Sequence, residues 1–352
     1  MDTLTHALSG MLVAKASYRK TEVLPYWLRS WLGFFVAAFP DIDFISRAFG
    51  MQAYLTYHRG ITHSIIMMPL WAILLAWVLA KTLSRFTRFE FNWRELLPLC
   101  LLSLGVHIFG DVITAYGTEV LAPFSDFRLS FPTTFIIDLY FSGILLVAIL
   151  ASVIIRKHAK NIALGGVMIL MAYVLVQGYW LRLAVGEAYA SMPTQKMQAS
   201  KVVAIPQPLS PLNWKIIIET EDRLFVRYIN LYRSEMKTAS DKYDLFTRID
   251  GLYTPTAQLN WLVISKMSMG PSQTLAKEIW QAEEFKHVRR FMEFPAVYRF
   301  ETLPEMQCIW FADQRFVLGE IRAPFIFGAC QHKESKEIKF LRLIDGEFAP
   351  FN

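Results

Sequence analysis

Apolar residues gather into six runs in the first half of the chain, at 3–18, 31–39, 65–83, 96–113, 139–155 and 162–185. The four later runs have the length of membrane-crossing helices, whereas the first two are shorter than a span and need protein neighbours as well as lipid. The opening run has no cationic leader, which argues against a cleaved signal peptide. Polar residues break these runs at few places. Within 105–111, Gly-Val-His-Ile-Phe-Gly-Asp, His107 and Asp111 stand four residues apart, so a helix puts both on one face. Taken alone, the pair reads as a buried His–Asp hydrogen bond.

The pattern changes after about residue 188. Charge becomes frequent and no apolar run is long enough to span. Apolar, β-branched runs at 214–220 and 224–231 flank the turn-like Glu221-Asp222-Arg223 and predict two strands. Helical spacing follows over 272–294, with Leu275, Ile279, Ala282, Phe285 and Val288 on one side. Strand-like pieces return at 297–301, 308–312, 321–327 and 338–344, and four prolines in 193–211 mark an exposed connection. The expected architecture is an α-helical membrane domain over 1–187, a linker over 188–212 and a soluble α+β domain over 213–352.

Composition narrows the function classes. Of 352 residues, 54% are apolar, too many for an ordinary soluble enzyme. Residues 1–189 carry 15 Lys/Arg against 11 Asp/Glu, and 190–352 carry 21 against 19. Neither part is basic enough to suggest nucleic acid. Three cysteines are too few for a disulfide framework, although Cys308 and Cys330 can bridge if their domain is extracytoplasmic.

Lys and Arg are also unevenly spread among the connections. Those at 15–30, 81–95 and 156–160 hold four, four and three, against two and one at 41–62 and 112–137. The positive-inside rule makes the first set cytoplasmic, and six segments then put both termini and the soluble domain outside. On that assignment His6, Asp41, Asp43, His58, His63, Asp111 and Asp138 all fall near external ends of segments, with His107 one turn deeper. Four of the seven histidines are in this set. Charges and imidazoles at the lipid boundary are costly without partners, so their convergence predicts one site.

Imidazole nitrogens and carboxylate oxygens suit a divalent ion, zinc above all, with manganese as an alternative. His6, Asp41, Asp43, His58, His63, His107 and Asp111 are the candidate ligands, enough for one or two ions. Whichever of Asp41 and Asp43 is not a ligand is the candidate base. Arg59 and Tyr116 are candidate substrate contacts. Each element also has a plainer reading: Pro40-Asp-Ile-Asp43 as a turn and cap, Arg59 as an anchor on lipid phosphate, Tyr116 as an interfacial anchor, Asp138 as a helix cap.

The ordered set Asp2-Thr-Leu-Thr-His6, Phe39-Pro-Asp41-Ile-Asp43, His58-Arg-Gly-Ile-Thr-His63-Ser64 and His107-Ile-Phe-Gly-Asp111 with Tyr116-Gly117 resembles the YdjM-like family of membrane-bound metal-dependent hydrolases over roughly residues 1–185. That family is in turn distantly similar to zinc-dependent phospholipase C and the S1/P1 nucleases, which implies a helical core. The resemblance implies one ion on an Asp of Pro-Asp-Ile-Asp, a His of the His-Arg-Gly segment, His107 and Asp111. It implies a second ion sharing Asp111 and using His6. A third zinc lacks its donors here, because the histidine after His107 is His158, on the cytoplasmic side.

The expected function is a multi-pass metallohydrolase of the bacterial inner membrane, cleaving a phosphoester of a lipid or lipid-linked substrate at the periplasmic interface. Membrane lipids are its expected partners, and the soluble domain covers the site or recruits a protein. A structural or regulatory protein whose metal pins the helices is the alternative. A transporter fits less well, because its polar residues belong near the bilayer midplane.

Overall fold

The computed structural model describes every residue except 21–23, 88, 194–197, 238–243, 268–269, 271, 320, 322, 345 and 352. The chain divides into two compact units, one of residues 1–45 and 57–179, the other of 46–56 and 180–352.

All six apolar runs are helical. They form α1 (Thr3–Ala16), α2 (Tyr26–Ala38), α4 (Met68–Phe86), α5 (Trp93–Val112), α6 (Leu139–Ile154) and α7 (Ala159–Ala190), with the short α3 (Met51–Tyr57) between α2 and α4. Asp2 caps α1 by accepting from Thr5 N, and Asn92 caps α5 by accepting from Arg94 N. Three helical stretches, Met68–Phe86, Trp93–Val112 and Arg156–Ala190, are long and apolar enough to cross a membrane, and Leu139–Ile154 is a shorter apolar helix. On α4 the alanines Ala72, Ala76 and Ala80 form a narrow buried stripe packed with Leu96, Leu99, Cys100 and Leu104 of α5. Leu70, Ile73, Leu74, Trp77 and Val78 point outward instead. Small residues inside and large apolar ones outside are what helices in lipid need.

The tightest packing in this unit joins α1 and α2. A Cβ on Gly10 would lie 2.3 Å from the Gly33 carbonyl oxygen, and one on Gly33 would lie 2.6 Å from that of Gly10. The two backbones therefore touch, glycine on glycine. That crossing sets the spacing between His6, one turn before Gly10, and Ala37, one turn after Gly33.

The second unit is built on two five-stranded sheets. In the first, β1 (Lys201–Pro206), β2 (Asn213–Glu219) and β3 (Arg223–Asn230) run antiparallel, and β4 (Thr254–Pro255) and β5 (Leu262–Ser265) join the far edge of β3. The helix α8 (Leu245–Gly251) precedes β4. In the second sheet, β6 (Pro295–Thr302), β7 (Met306–Asp313), β8 (Ile326–His332), β9 (Ile338–Ile344) and β10 (Glu347–Pro350) form an antiparallel meander. The helical spacing over 272–294 becomes α9 (Ser272–Gln281) and α10 (Lys286–Phe291), separated by a single 3₁₀ turn at Glu283–Phe285. Cys308 and Cys330 stand opposite each other on β7 and β8 and are disulfide-bonded.

Three boundaries differ from the sequence expectation. The stretch expected as a linker contains β1, because Lys-Val-Val-Ala-Ile is a β-branched run that pairs with β2; residues 194–197 of that linker lie outside the described residues. The end of α7 belongs to the second unit, where Ala184 and Ala188 pack with Trp214, Ile216 and Ile229. Residues 46–56 also belong there, and Thr56 Oγ1 is hydrogen-bonded to His287 Nδ1 at 2.8 Å.

Candidate metal centre

The site is built from four pieces of the first unit: the start of α1, the opening of the 3₁₀ helix Phe39–Phe49 that Pro40 begins after α2, the turn from His58 to His63, and the end of α5. In the 3₁₀ helix the usual pattern is inverted. Asp41 and Asp43 are buried, while Ile42, Phe44 and Ile45 between and after them are exposed. Acids inside and apolar side chains outside fit a segment bordered by lipid.

Asp111 is at the centre and has no exposed surface. Its Oδ1 accepts from the Met1 α-amine at 2.7 Å, His6 Nε2 at 3.0 Å and Arg59 Nη2 at 2.8 Å. Its Oδ2 faces His63 Nε2 at 3.2 Å and His107 Nε2 at 3.6 Å. Asp41 Oδ1 faces the same two nitrogens at 3.6 and 3.8 Å, and its Oδ2 accepts from Thr3 Oγ1 at 2.6 Å.

Two local hydrogen bonds decide what those nitrogens present. His107 Nδ1 donates to the Ala37 carbonyl at 2.6 Å, which leaves a lone pair on Nε2. His63 Nδ1 donates to Thr62 Oγ1 at 2.9 Å, and that hydroxyl donates in turn to Asp43 Oδ2 at 3.0 Å, again leaving a lone pair on Nε2. Three acceptors, His63 Nε2, His107 Nε2 and Asp111 Oδ2, thus confront one another, and Asp41 Oδ1 faces the two imidazole nitrogens. All three are buried and have no hydrogen-bond partner among the described residues.

Unpaired buried acceptors are expensive, and three turned toward one another call for a cation. A tetrahedral ion with bonds of about 2.0–2.1 Å holds its donors about 3.3–3.4 Å apart. Asp111 Oδ2 lies 3.2 and 3.6 Å from His63 Nε2 and His107 Nε2, close to that edge, and Asp41 Oδ1 lies 3.6 and 3.8 Å from the same nitrogens. The residues present therefore fit a divalent ion. A second possible group, His6 with Asp41 and His107, overlaps the first at His107. Since His107 Nδ1 is already committed, its Nε2 serves one ion at a time, and the arrangement fits a single ion best.

The electrostatics agree. Burial disfavours a charged His63, yet the carboxylates of Asp111, Asp41 and Asp43 more than offset this and push it up to about 10. Burial raises Asp41, but His63, His107 and His6 beside it and the Thr3 hydroxyl prevail and lower it to about 2. The cage thus demands a positive charge where the ion would sit.

Asp43 and His58 were expected among the ligands and are in neither donor group among the described residues. The reason is geometric. Asp43 Oδ1 takes His58 Nδ1 at 2.8 Å, and Oδ2 takes Arg59 N at 2.9 Å and the Thr62 hydroxyl. Both oxygens are committed to orienting the histidines, as the carboxylates behind metal-bound imidazoles do. The same commitment removes Asp43 as a candidate base. Burial lowers the His58 pKa against the opposing pull of Asp43, so His58 is neutral near pH 7 and able to take a proton.

Arg59 is also turned inward. It is 3% exposed, its Nη1 donates to Thr114 Oγ1 at 3.2 Å, and its guanidinium lies 4.5 Å from the centre of the Tyr116 ring. Its backbone has φ +60°, unusual for a non-glycine residue, and is held there by Asp43 and by Glu119 N, which donates to its carbonyl at 3.0 Å. Tyr116 is buried and meets His58 edge-on at 5.4 Å. Asp138 is a helix cap: its Oδ1 accepts from Tyr140 N and Phe141 N, and its Oδ2 from Tyr173 OH at 2.8 Å.

Several contributors carried no recognisable signal in the sequence. Thr3, Thr62 and Thr114 look like ordinary polar residues, and the Ala37 carbonyl has no side-chain signature. Gly110 is different: a Cβ there would lie 2.9 Å from His6 Cε1, so only glycine lets the His6 ring settle against α5. Its place directly before Asp111 was the one available hint.

A family model described as YdjM inner membrane protein matches residues 1–184. A protein of Bacillus subtilis (strain 168), "Uncharacterized protein YfhP", is 24% identical over 191 residues, covering 53% of this chain and 54% of that protein. The chain thus spans about half the length of that relative. No solved structure matches.

Proposed function

The chain belongs to the YdjM inner membrane protein family, and from that premise we propose that it is a metal-dependent hydrolase acting on a phosphoester of a lipid or lipid-linked molecule. The observation that carries this reading is the set of three converging acceptors, His63 Nε2, His107 Nε2 and Asp111 Oδ2, buried without a hydrogen-bond partner among the described residues, with Asp41 Oδ1 facing the two nitrogens. They would hold the ion, zinc first and manganese second. When bound, such an ion lowers the pKa of a water and polarises a phosphoryl oxygen.

The chain's own residues supply the rest. His58, oriented by Asp43 through Nδ1, takes a proton on Nε2, in the manner of an Asp-held histidine base. Arg59 keeps Asp111 Oδ1 occupied and so directs Oδ2 toward the ion. Tyr116 packs on both Arg59 and His58 and holds their planes. Exposed Ile42, Phe44 and Ile45 beside the two acids favour a substrate delivered from lipid. The Cys308–Cys330 bridge and the cation-poor connections at 41–62 and 112–137 support a periplasmic site and C-terminal domain, since disulfides persist in oxidising compartments. A phospholipase C-like arrangement of the helical core is part of the same proposal.

One observation favours a second reading. Asp41 Oδ1 faces the same two imidazole nitrogens at 3.6 and 3.8 Å, and an Asp41 that closed on the ion would fill a tetrahedral shell, the mark of a structural site. In that case the metal pins α5 to the loops and no hydrolysis occurs. Reconstitution into phospholipid vesicles with zinc or manganese separates the readings. Release of diacylglycerol or phosphate that is lost in His58→Ala, with metal content kept, supports the hydrolase. A metal-loaded protein inert toward phospholipids and soluble phosphoesters supports the structural role.

A further inference from the structure

A second candidate binding site lies wholly within the other unit. On the β8–β9 ladder Phe327 stands opposite Arg342. Next to that pair is a cavity of about 260 Å³, also lined by Arg47 and Met51 of the 46–56 segment and by Pro324, Ile326 and Leu343. Among the described residues its walls are apolar except for two side chains, Arg47 and Arg342, and none of them is acidic.

Among the described residues neither guanidinium is ion-paired with a carboxylate. Arg342 Nε is buried and has no hydrogen-bond partner among the described residues. A buried, unanswered guanidinium N–H is costly, so an acceptor that reaches it is favoured. Two guanidiniums on an otherwise apolar wall select an anion, and their planar donor forks match phosphate oxygens. The apolar wall then selects what the phosphate is attached to. The volume is below the ~300–1,000 Å³ of pockets that enclose a whole drug-sized ligand. It suits a phosphate with the first few carbons of a chain.

We propose that this cavity binds a phosphate monoester carried on an apolar chain, with Arg47 and Arg342 as its clamp. The phosphate is dianionic near neutral pH and matches the two positive charges. The test is calorimetric titration of the full chain in a neutral maltoside detergent after EDTA treatment, which takes the metal centre out of the readout. The probes are hexyl phosphate, inorganic phosphate and hexan-1-ol. Arg47 is exposed, so R47Q leaves the fold intact, and R342Q is the second variant. Hexyl phosphate is expected to bind about tenfold more weakly to each variant, the loss of one charge-assisted contact. Tighter binding of hexyl phosphate than of inorganic phosphate assigns the occupant to a lipid-borne phosphate. Equal binding of the two, still weakened by R47Q, keeps the clamp and assigns it to free phosphate. Binding that both variants retain unchanged, or that hexan-1-ol reproduces, overturns the proposal.

Discussion

Replacing Gly33 with alanine tests whether the α1–α2 crossing holds the site together. The added Cβ would lie 2.5 Å from Ala14 Cβ and 2.6 Å from the Gly10 carbonyl oxygen. Ordinary contact begins near 3.4 Å, so the helices must part by about 1 Å, an overpacking that costs about 1–3 kcal/mol. The upper end applies, because the obstacle is backbone. Alanine returns about 0.5–1 kcal/mol by helix propensity, leaving a net loss of about 2 kcal/mol. For a unit of this size that lowers the melting temperature by roughly 4–8 °C. Gly143 and Gly165 supply the control, since a Cβ at either meets nothing within 4 Å. Their alanine variants keep the propensity gain without the clash and should melt at or above wild type. The separation also moves Ala37, whose carbonyl orients His107, and His6 on α1, so Gly33→Ala should bind metal more weakly with every donor intact. Thermal melting of detergent-purified protein by tryptophan fluorescence, with zinc titration beside it, reads both effects. A Gly33→Ala protein as stable as Gly165→Ala would refute the close crossing.

Asp43→Asn should weaken zinc binding about 10–100-fold without abolishing it, because Asp43 orients histidines and is not itself a donor; loss as complete as in a ligand variant would make it one. Lys215 has no exposed surface and donates to the Gln314 and Val317 carbonyls, and burial, against the pull of Asp313, lowers it from 10.5 to about 7. Between about pH 7 and 10.5 the unfolded chain binds the extra proton, so stability should rise with pH by up to ~1.4 kcal/mol per unit. Melting curves across that range should show the rise in wild type and a smaller one in Lys215→Met; parallel curves would contradict it. Protein from membranes, denatured without reductant, should expose Cys100 alone to a maleimide and all three cysteines after reduction. Three reactive thiols before reduction would argue against a periplasmic C-terminal domain.

The helices could be read from the sequence because lipid-facing segments must be apolar nearly throughout. The site could be read for the same reason: a histidine or aspartate inside such a run has no inexpensive place except against another polar group. What spacing could not tell is which layer each residue occupies. Asp41 and Asp43 are two residues apart on one 3₁₀ helix, yet Asp41 turns toward His63 and His107 and Asp43 toward His58 and Thr62. Arg59 looked like an outward cation, but a backbone at φ +60° turns it in toward Asp111. The Gly10–Gly33 contact left no pattern in either helix, since glycines are common in membrane segments. The proline-rich stretch at 193–211 hid β1, whose register depends on β2.

The ion is assigned to His63, His107 and Asp111, with Asp41 beside them. Metal analysis of purified wild type beside His63→Ala, His107→Ala and the exposed His158→Ala tests the assignment most directly. About one equivalent of zinc or manganese is expected in wild type and His158→Ala, and almost none in the other two while they remain folded. A well-folded wild type that takes up neither metal when supplied, or ligand variants that keep theirs, would contradict it.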